Sequence, residues 1–100
     1  MSEKLDIDKI IADGLKDNGV IIDVRTEEEY DEGHIPNSIS IPLSHLDDIL
    51  TEVIDKDTHL MVYCKSGIRS GNAVQALILM GYTNAVNAGG IIDWKGEIVS

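Results

Sequence analysis

Buried-strand patterns alternate with helical patterns along this chain, and the alternation limits its possible folds more than any other feature. Residues 20–24 are a run of mostly β-branched residues, typical of a strand covered on both faces, and residues 60–63 are another apolar run. Residues 7–16 and 68–80 instead space their apolar side chains as helices do. The pattern predicts an α/β fold with a central, mainly parallel sheet of four to five strands and helices on both faces.

Weaker signals predict the remaining elements. Thr26 and Glu29 are spaced as a capping box, which predicts a short helix that ends near Gly33. Residues 38–41 and 84–87 are predicted to be short strands, and the Gly-Gly pair at 89–90 a tight turn. A further helix is expected to begin at Ser44. Its apolar face would consist of Leu46, Ile49, Leu50, Val53 and Ile54.

Length and charge exclude several classes of function. One hundred residues suffice for one core, so residues 1–100 are expected to form a single domain. The formal net charge of −10 disfavours binding to nucleic acids and to anionic membrane surfaces. Residues 1–4 are followed by no apolar run, so we expect neither a signal peptide nor a membrane span. A single cysteine fits a reducing compartment, and we expect a cytoplasmic protein.

That single cysteine, Cys64, follows the second predicted buried strand and lies in a stretch without acidic residues. Residues 58–92 contain no Asp or Glu but do contain Lys65 and Arg69, although the whole chain has 18 acidic residues. A thiol in such surroundings ionises more readily, and an anion can approach it without repulsion from neighbouring carboxylates. Parallel sheets bind their ligands at the carboxyl ends of the strands. Both arguments indicate Cys64 as the functional residue.

The residues after Cys64 suit an anion-binding loop. Gly67 allows a tight turn in which several backbone N–H groups converge, and a helix is expected to begin just after it. Such a setting can lower the pKa of a cysteine thiol well below its usual ~8.5. The loop also offers two cations and two hydroxyl donors, Lys65, Arg69, Ser66 and Ser70. We interpret Cys64 as a nucleophile rather than as a buried structural cysteine.

Two segments of the chain resemble the signatures of the rhodanese family. Residues 23–42 contain Asp-Val-Arg, Gly-His-Ile-Pro and Ile-Pro elements in the order that the family has them. Residues 62–94 contain the cysteine loop and a closing Gly-Gly-x-x-x-Trp element that ends at Trp94. The matched blocks span residues 20–94. The resemblance implies a three-layer rhodanese-like fold.

The same resemblance implies a sulfurtransferase that moves sulfane sulfur from thiosulfate or a persulfide donor to a thiophilic acceptor. Cys64 would attack the donor and carry the sulfur as a persulfide. The loop would cradle that sulfur with its backbone amides, and Lys65 and Arg69 would hold the small anionic donor. The implied substrate-binding residues are Lys65, Ser66, Gly67, Ile68, Arg69 and Ser70. The implied acceptors are cyanide, a small thiol or the thiol of a sulfur-relay protein. No metal or organic cofactor is implied, and we expect a monomer or weak dimer.

Five further residues are expected to support the site without taking part in the chemistry. Asp23 and Arg25 are interpreted as a buried ion pair that braces the pocket. His34, in the turn of the Gly-His-Ile-Pro element, is expected to make structural hydrogen bonds. Gly89 and Gly90 belong to the closing element of the signature. No spacing of His, Cys or carboxylate residues indicates a metal site.

Two other functions are kept as alternatives. Related folds use a loop cysteine for phosphatase or arsenate chemistry, but their loops place five residues between Cys and Arg, whereas four separate Cys64 from Arg69. The shorter ring suits a single sulfur better than a phosphate. A non-enzymatic docking module would fit the fold but usually lacks the cysteine or its cationic loop. The acidic run Glu27–Glu32 is interpreted as a solvated helix, with a docking face for a basic partner as the alternative.

Overall fold

The computed structural model of the chain describes residues 5–100, and the expectations about residues 1–4 lie outside it. The helices are α1 (Ile7–Lys16), α2 (Glu27–Glu32), α3 (Ile49–Glu52) and α4 (Ile68–Leu79). The strands are β1 (Val20–Asp23), β2 (Ile39–Ser40), β3 (Leu60–Cys64) and β4 (Ala85–Gly90), and two 3₁₀-helices cover Leu43–Asp48 and Ile91–Asp93. Within the described part of the chain, no helix has the length and apolar character that crossing a bilayer requires.

The four strands form one parallel sheet in the order β2-β1-β3-β4. Each crossover between neighbouring strands contains helical structure, as parallel connections require. Asp23 pairs with Tyr63, and Cys64 pairs with Gly90, so three strands end at the same edge of the sheet. The predicted α/β fold with a mainly parallel sheet of four to five strands is confirmed.

Both faces of the sheet are covered, and the residues of β3 show how. Leu60, Val62 and Cys64 belong to the core cluster that includes α4, whereas Met61 and Tyr63 belong to the cluster that includes α1. All five are at most 1% exposed. Successive side chains of a strand point to opposite faces, so a strand that is apolar at every position must be covered twice. The three layers are therefore helix, sheet and helix.

The prediction of one continuous α-helix that begins at Ser44 is wrong. The segment is a 3₁₀-helix over Leu43–Asp48 followed by the single turn of α3, and His45 has a non-helical backbone with φ −127° and ψ 34°. This break rotates the expected apolar face out of register. Of its five predicted members, three are buried, namely Leu46, Ile49 and Val53. The other two, Leu50 and Ile54, are exposed.

The prediction that Gly89 and Gly90 form a tight turn is wrong, because they are the last two residues of β4. They pair with Tyr63 and Cys64, after a shift in register between Val62 and Tyr63. A Gly-Gly pair in a sequence by itself indicates a turn. Here the missing side chains leave room beside the strand for the loop that follows β3.

The start of α2 is as predicted. Thr26 Oγ1 accepts a hydrogen bond from the Glu29 N–H over 3.2 Å, and Glu29 Oε1 accepts one from the Thr26 N–H over 3.1 Å. This reciprocal pair is the predicted capping box, which is confirmed. It fixes the Glu29 carboxylate at the first turn of α2.

Candidate active site

Cys64 is the last residue of β3, a central strand of the sheet. Residues 65–67 turn the chain into α4, which begins at Ile68. Gly67, just before the helix, has φ +102°, a left-handed conformation that glycine adopts far more readily than other residues do. The turn wraps the backbone around the sulfur, and Cys64 is only 1% exposed.

The turn brings hydrogen-bond donors to the Cys64 sulfur. The Gly67 N–H donates to Sγ over 3.0 Å, and the Ser70 hydroxyl oxygen lies 3.4 Å from Sγ. Burial by itself raises the pKa of the thiol. Hydrogen bonds from the Ser70 hydroxyl and from the backbone N–H groups of Ser66, Gly67 and Ser70 outweigh burial, so the pKa lies below its ordinary value. The loop therefore makes the thiolate, the nucleophilic form, easier to form than on an ordinary cysteine.

Asn87, on β4, ties the loop to the neighbouring strand, and the sequence analysis did not single it out. Its Oδ1 accepts from the Ser70 hydroxyl over 2.7 Å and from the Gly89 N–H over 3.0 Å. Its Nδ2 donates to the Gly67 carbonyl over 3.0 Å. The sequence signal for this role is a polar side chain inside a predicted strand. What it bonds to depends on the strand order, which the sequence does not give.

The loop packs directly on the backbone of β4. A Cβ atom placed on Gly90 would collide with the Lys65 carbonyl oxygen and would lie 2.6 Å from Ser66 Cα. No residue with a side chain fits there unless the loop moves. The Ile92 N–H, just past the strand, donates to the Lys65 carbonyl over 3.3 Å. Gly90 thus lies under the loop, where a supporting role was expected for it.

Arg69 does not project freely into the site but forms a bidentate ion pair with Glu29. The Nη1–Oε1 distance is 2.7 Å and the Nη2–Oε2 distance is 3.1 Å. The hydrogen bonds from Arg69 lower the pKa of Glu29 to about 2, so the carboxylate is ionised at neutral pH.

The expectation that no carboxylate lies near the loop is therefore wrong. Residues 58–92 lack acids in the sequence, but α2 comes from the acidic half of the chain and packs beside them. The interpretation of Glu27–Glu32 as a solvated helix is incomplete for the same reason, because Glu29 is bound to Arg69.

A small pocket of about 300 Å³ opens beside the loop. Its lining mixes charged, apolar and backbone groups and consists of Arg25, Glu29, Glu32, Gly33, Lys65, Ile91 and Ile92. Lys65 and Glu32 face this space, and neither forms an ion pair with another of the residues 5–100. Ile68, which was expected to contribute to binding, is 74% exposed, so its side chain does not enclose the sulfur.

A larger cavity of about 670 Å³ lies at the opposite edge of the sheet. It is lined by residues that precede the strands, such as Asp17, His59 and Asn84. It contains several carboxylates, but in the described part of the chain no group of three or more His, Cys, Asp or Glu residues is placed to hold a metal ion. Of these two cavities, the smaller adjoins the cysteine loop, and we assign the candidate site to it.

The supporting residues predicted near the pocket form a connected set. Arg25 and Asp23 are an ion pair with a 2.8 Å contact, and they are 7% and 0% exposed. Arg25 Nη2 also donates to the Gly33 carbonyl over 2.7 Å, which links β1 to the end of α2. The His34 ring stacks on Tyr30, and its Nδ1 lies 2.8 Å from the Tyr30 carbonyl oxygen. Arg25 and Gly33 line the pocket, so the contacts between them hold part of its wall in place.

The chain is similar in sequence and fold to known proteins. Residues 7–97 match the family described as the rhodanese-like domain. The thiosulfate sulfurtransferase PspE of Escherichia coli is 45% identical over 73 residues, which are 72% of this chain and 70% of PspE. A sulfurtransferase of Allochromatium vinosum is 40% identical over 76 residues, covering 75% of this chain and 70% of that protein. The solved structure of a rhodanese with anions from E. coli has a TM-score of 0.77 and 41% identity, covering 81% of this chain and 96% of that one.

Proposed function

The chain belongs to the rhodanese family, and on that basis we propose that it is a sulfurtransferase that works through a persulfide on Cys64. The observation that carries the proposal is the environment of the sulfur. The one cysteine of the chain ends a central strand, is surrounded by N–H donors, and has a pKa below that of an ordinary thiol. The relative PspE, which is named a thiosulfate sulfurtransferase, supports thiosulfate as a donor.

The loading step is a displacement at sulfur. The Cys64 thiolate attacks the outer sulfur of thiosulfate, the S–S bond of thiosulfate breaks, and sulfite leaves with the bonding electron pair. The product is a persulfide anion on Cys64. The backbone N–H groups of Ser66 and Gly67, which point at the sulfur, are suited to stabilise this negative charge. Lys65 would attract the anionic donor to the pocket.

The second step regenerates the thiolate. A nucleophilic acceptor attacks the outer sulfur of the persulfide. The S–S bond of the persulfide breaks, and its electron pair stays on the sulfur of Cys64. With cyanide the product is thiocyanate. With a thiol it is a new persulfide, carried by a small molecule or by a relay protein. Neither step changes the net charge of the protein, and neither needs a metal or an organic cofactor.

The position of Arg69 favours sulfur transfer over phosphatase chemistry. A phosphatase of this general kind needs its loop arginine to grip an oxyanion with two parallel hydrogen bonds. Both terminal nitrogens of Arg69 instead donate a hydrogen bond to Glu29. The loop is also one residue shorter than the phosphatase loops, because four residues separate Cys64 from Arg69.

The proposal is tested by loading the reduced protein with thiosulfate and measuring its intact mass. We expect a gain of one sulfur atom that cyanide removes, and no gain in Cys64→Ser. A thermal melt of the variant checks that the fold is retained. Loading of Cys64→Ser would contradict the mechanism. If the parent protein is loaded neither by thiosulfate nor by a small-molecule persulfide, the docking-module alternative is favoured instead.

A further inference from the structure

The charged groups around the pocket are balanced in number. Arg25 is paired with Asp23, and Arg69 is paired with Glu29. Lys65 and Glu32 are the remaining charged side chains in the lining. An anion that enters the pocket therefore meets as many carboxylates as cations, although the loop sequence contains two cations and no acid.

Glu29 is the residue that produces this balance at the loop itself. Its carboxylate accepts hydrogen bonds from both terminal nitrogens of Arg69, and also from the N–H and the hydroxyl of Thr26. With these partners and the capping box in place, Glu29 cannot turn away without breaking the start of α2. Glu29 also lines the pocket, so its negative charge lies next to any donor that binds there.

Given the sulfurtransferase function proposed above, we propose that Glu29 is a specificity-determining residue that weakens the binding of doubly charged donors by neutralising Arg69. Lys65 is then the cation left to attract the donor. A donor with one negative charge is repelled by Glu29 half as strongly as one with two. The site is accordingly less selective for dianions such as thiosulfate than the sequence of its loop suggests.

The expected effect follows from Coulomb's law. Two unit charges several ångströms apart at a solvated site interact with an energy that changes a dissociation constant roughly threefold. A dianion doubles that energy, so its dissociation constant changes roughly tenfold. Salt reduces both effects, because screening is strong over these distances at high ionic strength. Charge selectivity and its salt dependence therefore separate this role from a purely structural one.

The test compares Glu29→Gln with Glu28→Gln. Glutamine can still accept the capping-box hydrogen bond, so the first variant removes the charge while keeping the cap. Glu28 is an exposed residue of the same helix and makes no ion pair within residues 5–100, so its variant controls for the change in net charge. The readout is the half-saturating donor concentration for persulfide loading, measured by intact mass with thiosulfate and with methanethiosulfonate, which carries one charge.

We expect Glu29→Gln to lower the half-saturating thiosulfate concentration roughly tenfold and that of methanethiosulfonate roughly threefold, with both shifts shrinking in ~0.5 M salt. Glu28→Gln should change either value less than twofold. An unchanged or raised value for thiosulfate in a folded Glu29→Gln variant overturns the proposal. So does a shift of equal size in Glu28→Gln, which would reveal a general charge effect.

Arg69→Gln and the double variant Glu29→Gln/Arg69→Gln make the test independent of the first result. Removing Arg69 alone leaves Glu29 uncompensated and should weaken thiosulfate loading, whereas the double variant should recover most of that loss. A double variant as weak as Arg69→Gln would mean that Arg69 itself grips the donor, and would overturn the proposal. If the parent protein loads no sulfur from any donor, the proposed function fails; if it loads normally and only these shifts are missing, this inference fails alone.

Discussion

Ser70 is the residue on which the state of the Cys64 thiol depends most directly. Its hydroxyl oxygen lies 3.4 Å from Sγ and 2.7 Å from Asn87 Oδ1. A hydroxyl has one proton to donate, so the sulfur and the Asn87 oxygen compete for it. A negative charge on Sγ strengthens the bond to sulfur and draws the proton towards it. Asn87 therefore holds the hydroxyl beside the sulfur, where a thiolate would compete with Asn87 for its proton.

We expect Ser70→Ala to raise the pKa of Cys64. The hydrogen bond from the Ser70 hydroxyl is one of those that lower this pKa, and its loss leaves burial less opposed. The rate of alkylation by iodoacetamide, followed by mass spectrometry from pH 5 to pH 10, should therefore rise at higher pH than in the parent protein.

Ser66→Ala is the matched control for this titration, because Ser66 acts on the sulfur through its backbone N–H, which the substitution keeps. Its alkylation profile should follow that of the parent. Profiles of Ser70→Ala and parent that coincide would mean that the hydroxyl serves Asn87 alone.

At the scale of elements, the site depends on the contact between the loop after β3 and the end of β4. Gly90 makes this contact possible, since a Cβ atom there would collide with the Lys65 carbonyl oxygen. The Ile92 N–H then binds that same oxygen. The loop is therefore shaped by β4 as much as by its own sequence.

Gly90→Ala should push the loop off β4. We expect a loss of about 1–3 kcal/mol in the free energy of unfolding, which is typical of overpacking, and a more than tenfold slower loading of Cys64. Urea unfolding and single-turnover loading measure the two effects. Val86→Ala, at an exposed position of the same strand, should change neither by a comparable amount. Loading of Gly90→Ala at the parent rate would show that the loop tolerates the displacement.

At the scale of the whole molecule, the ion pair between α2 and α4 joins two distant parts of the chain. Glu29 and Arg69 are 40 residues apart, and their side chains are 28% and 35% exposed. A partly exposed pair contributes modestly to stability, roughly 1 kcal/mol. Its contribution depends on pH because the pKa of Glu29 is lowered from 4.5 to about 2.

The sign of this dependence is fixed. A carboxylate with a lowered pKa stabilises the folded protein fully above its unfolded pKa, near 4.5, and loses that contribution as the pH falls towards 2. We therefore expect the parent to be more stable than Glu29→Gln at pH 7, with the difference narrowing between pH 4.5 and pH 3 in urea unfolding. Glu28→Gln, which has no ion pair to lose, is the control. A difference that is constant across this range would assign the stabilisation to something other than the charge of Glu29.

Features that depend on a residue and its immediate neighbours in the sequence could be predicted from the sequence. The apolar runs of β1 and β3 require a sheet covered on both faces, and the spacing of Thr26 and Glu29 requires a helix start, because these are local consequences of side-chain shape and hydrogen bonding. The same holds for Cys64 and Gly67, since a cysteine at a strand end followed by a glycine turn needs no distant residue to be recognised. The broken helix at His45 was missed because its apolar spacing is helical while its backbone is not.

What surrounds the cysteine was decided by the tertiary structure. The strand order β2-β1-β3-β4 brings Asn87 and Gly90 against the loop, and the packing of α2 brings Glu29 to Arg69. Electrostatic interactions depend on distance in space, so a stretch without acids in the sequence can still have a carboxylate as its nearest charged neighbour. The sequence alone determined the fold class and indicated Cys64 as the candidate nucleophile; the folded chain determined which charges surround that cysteine.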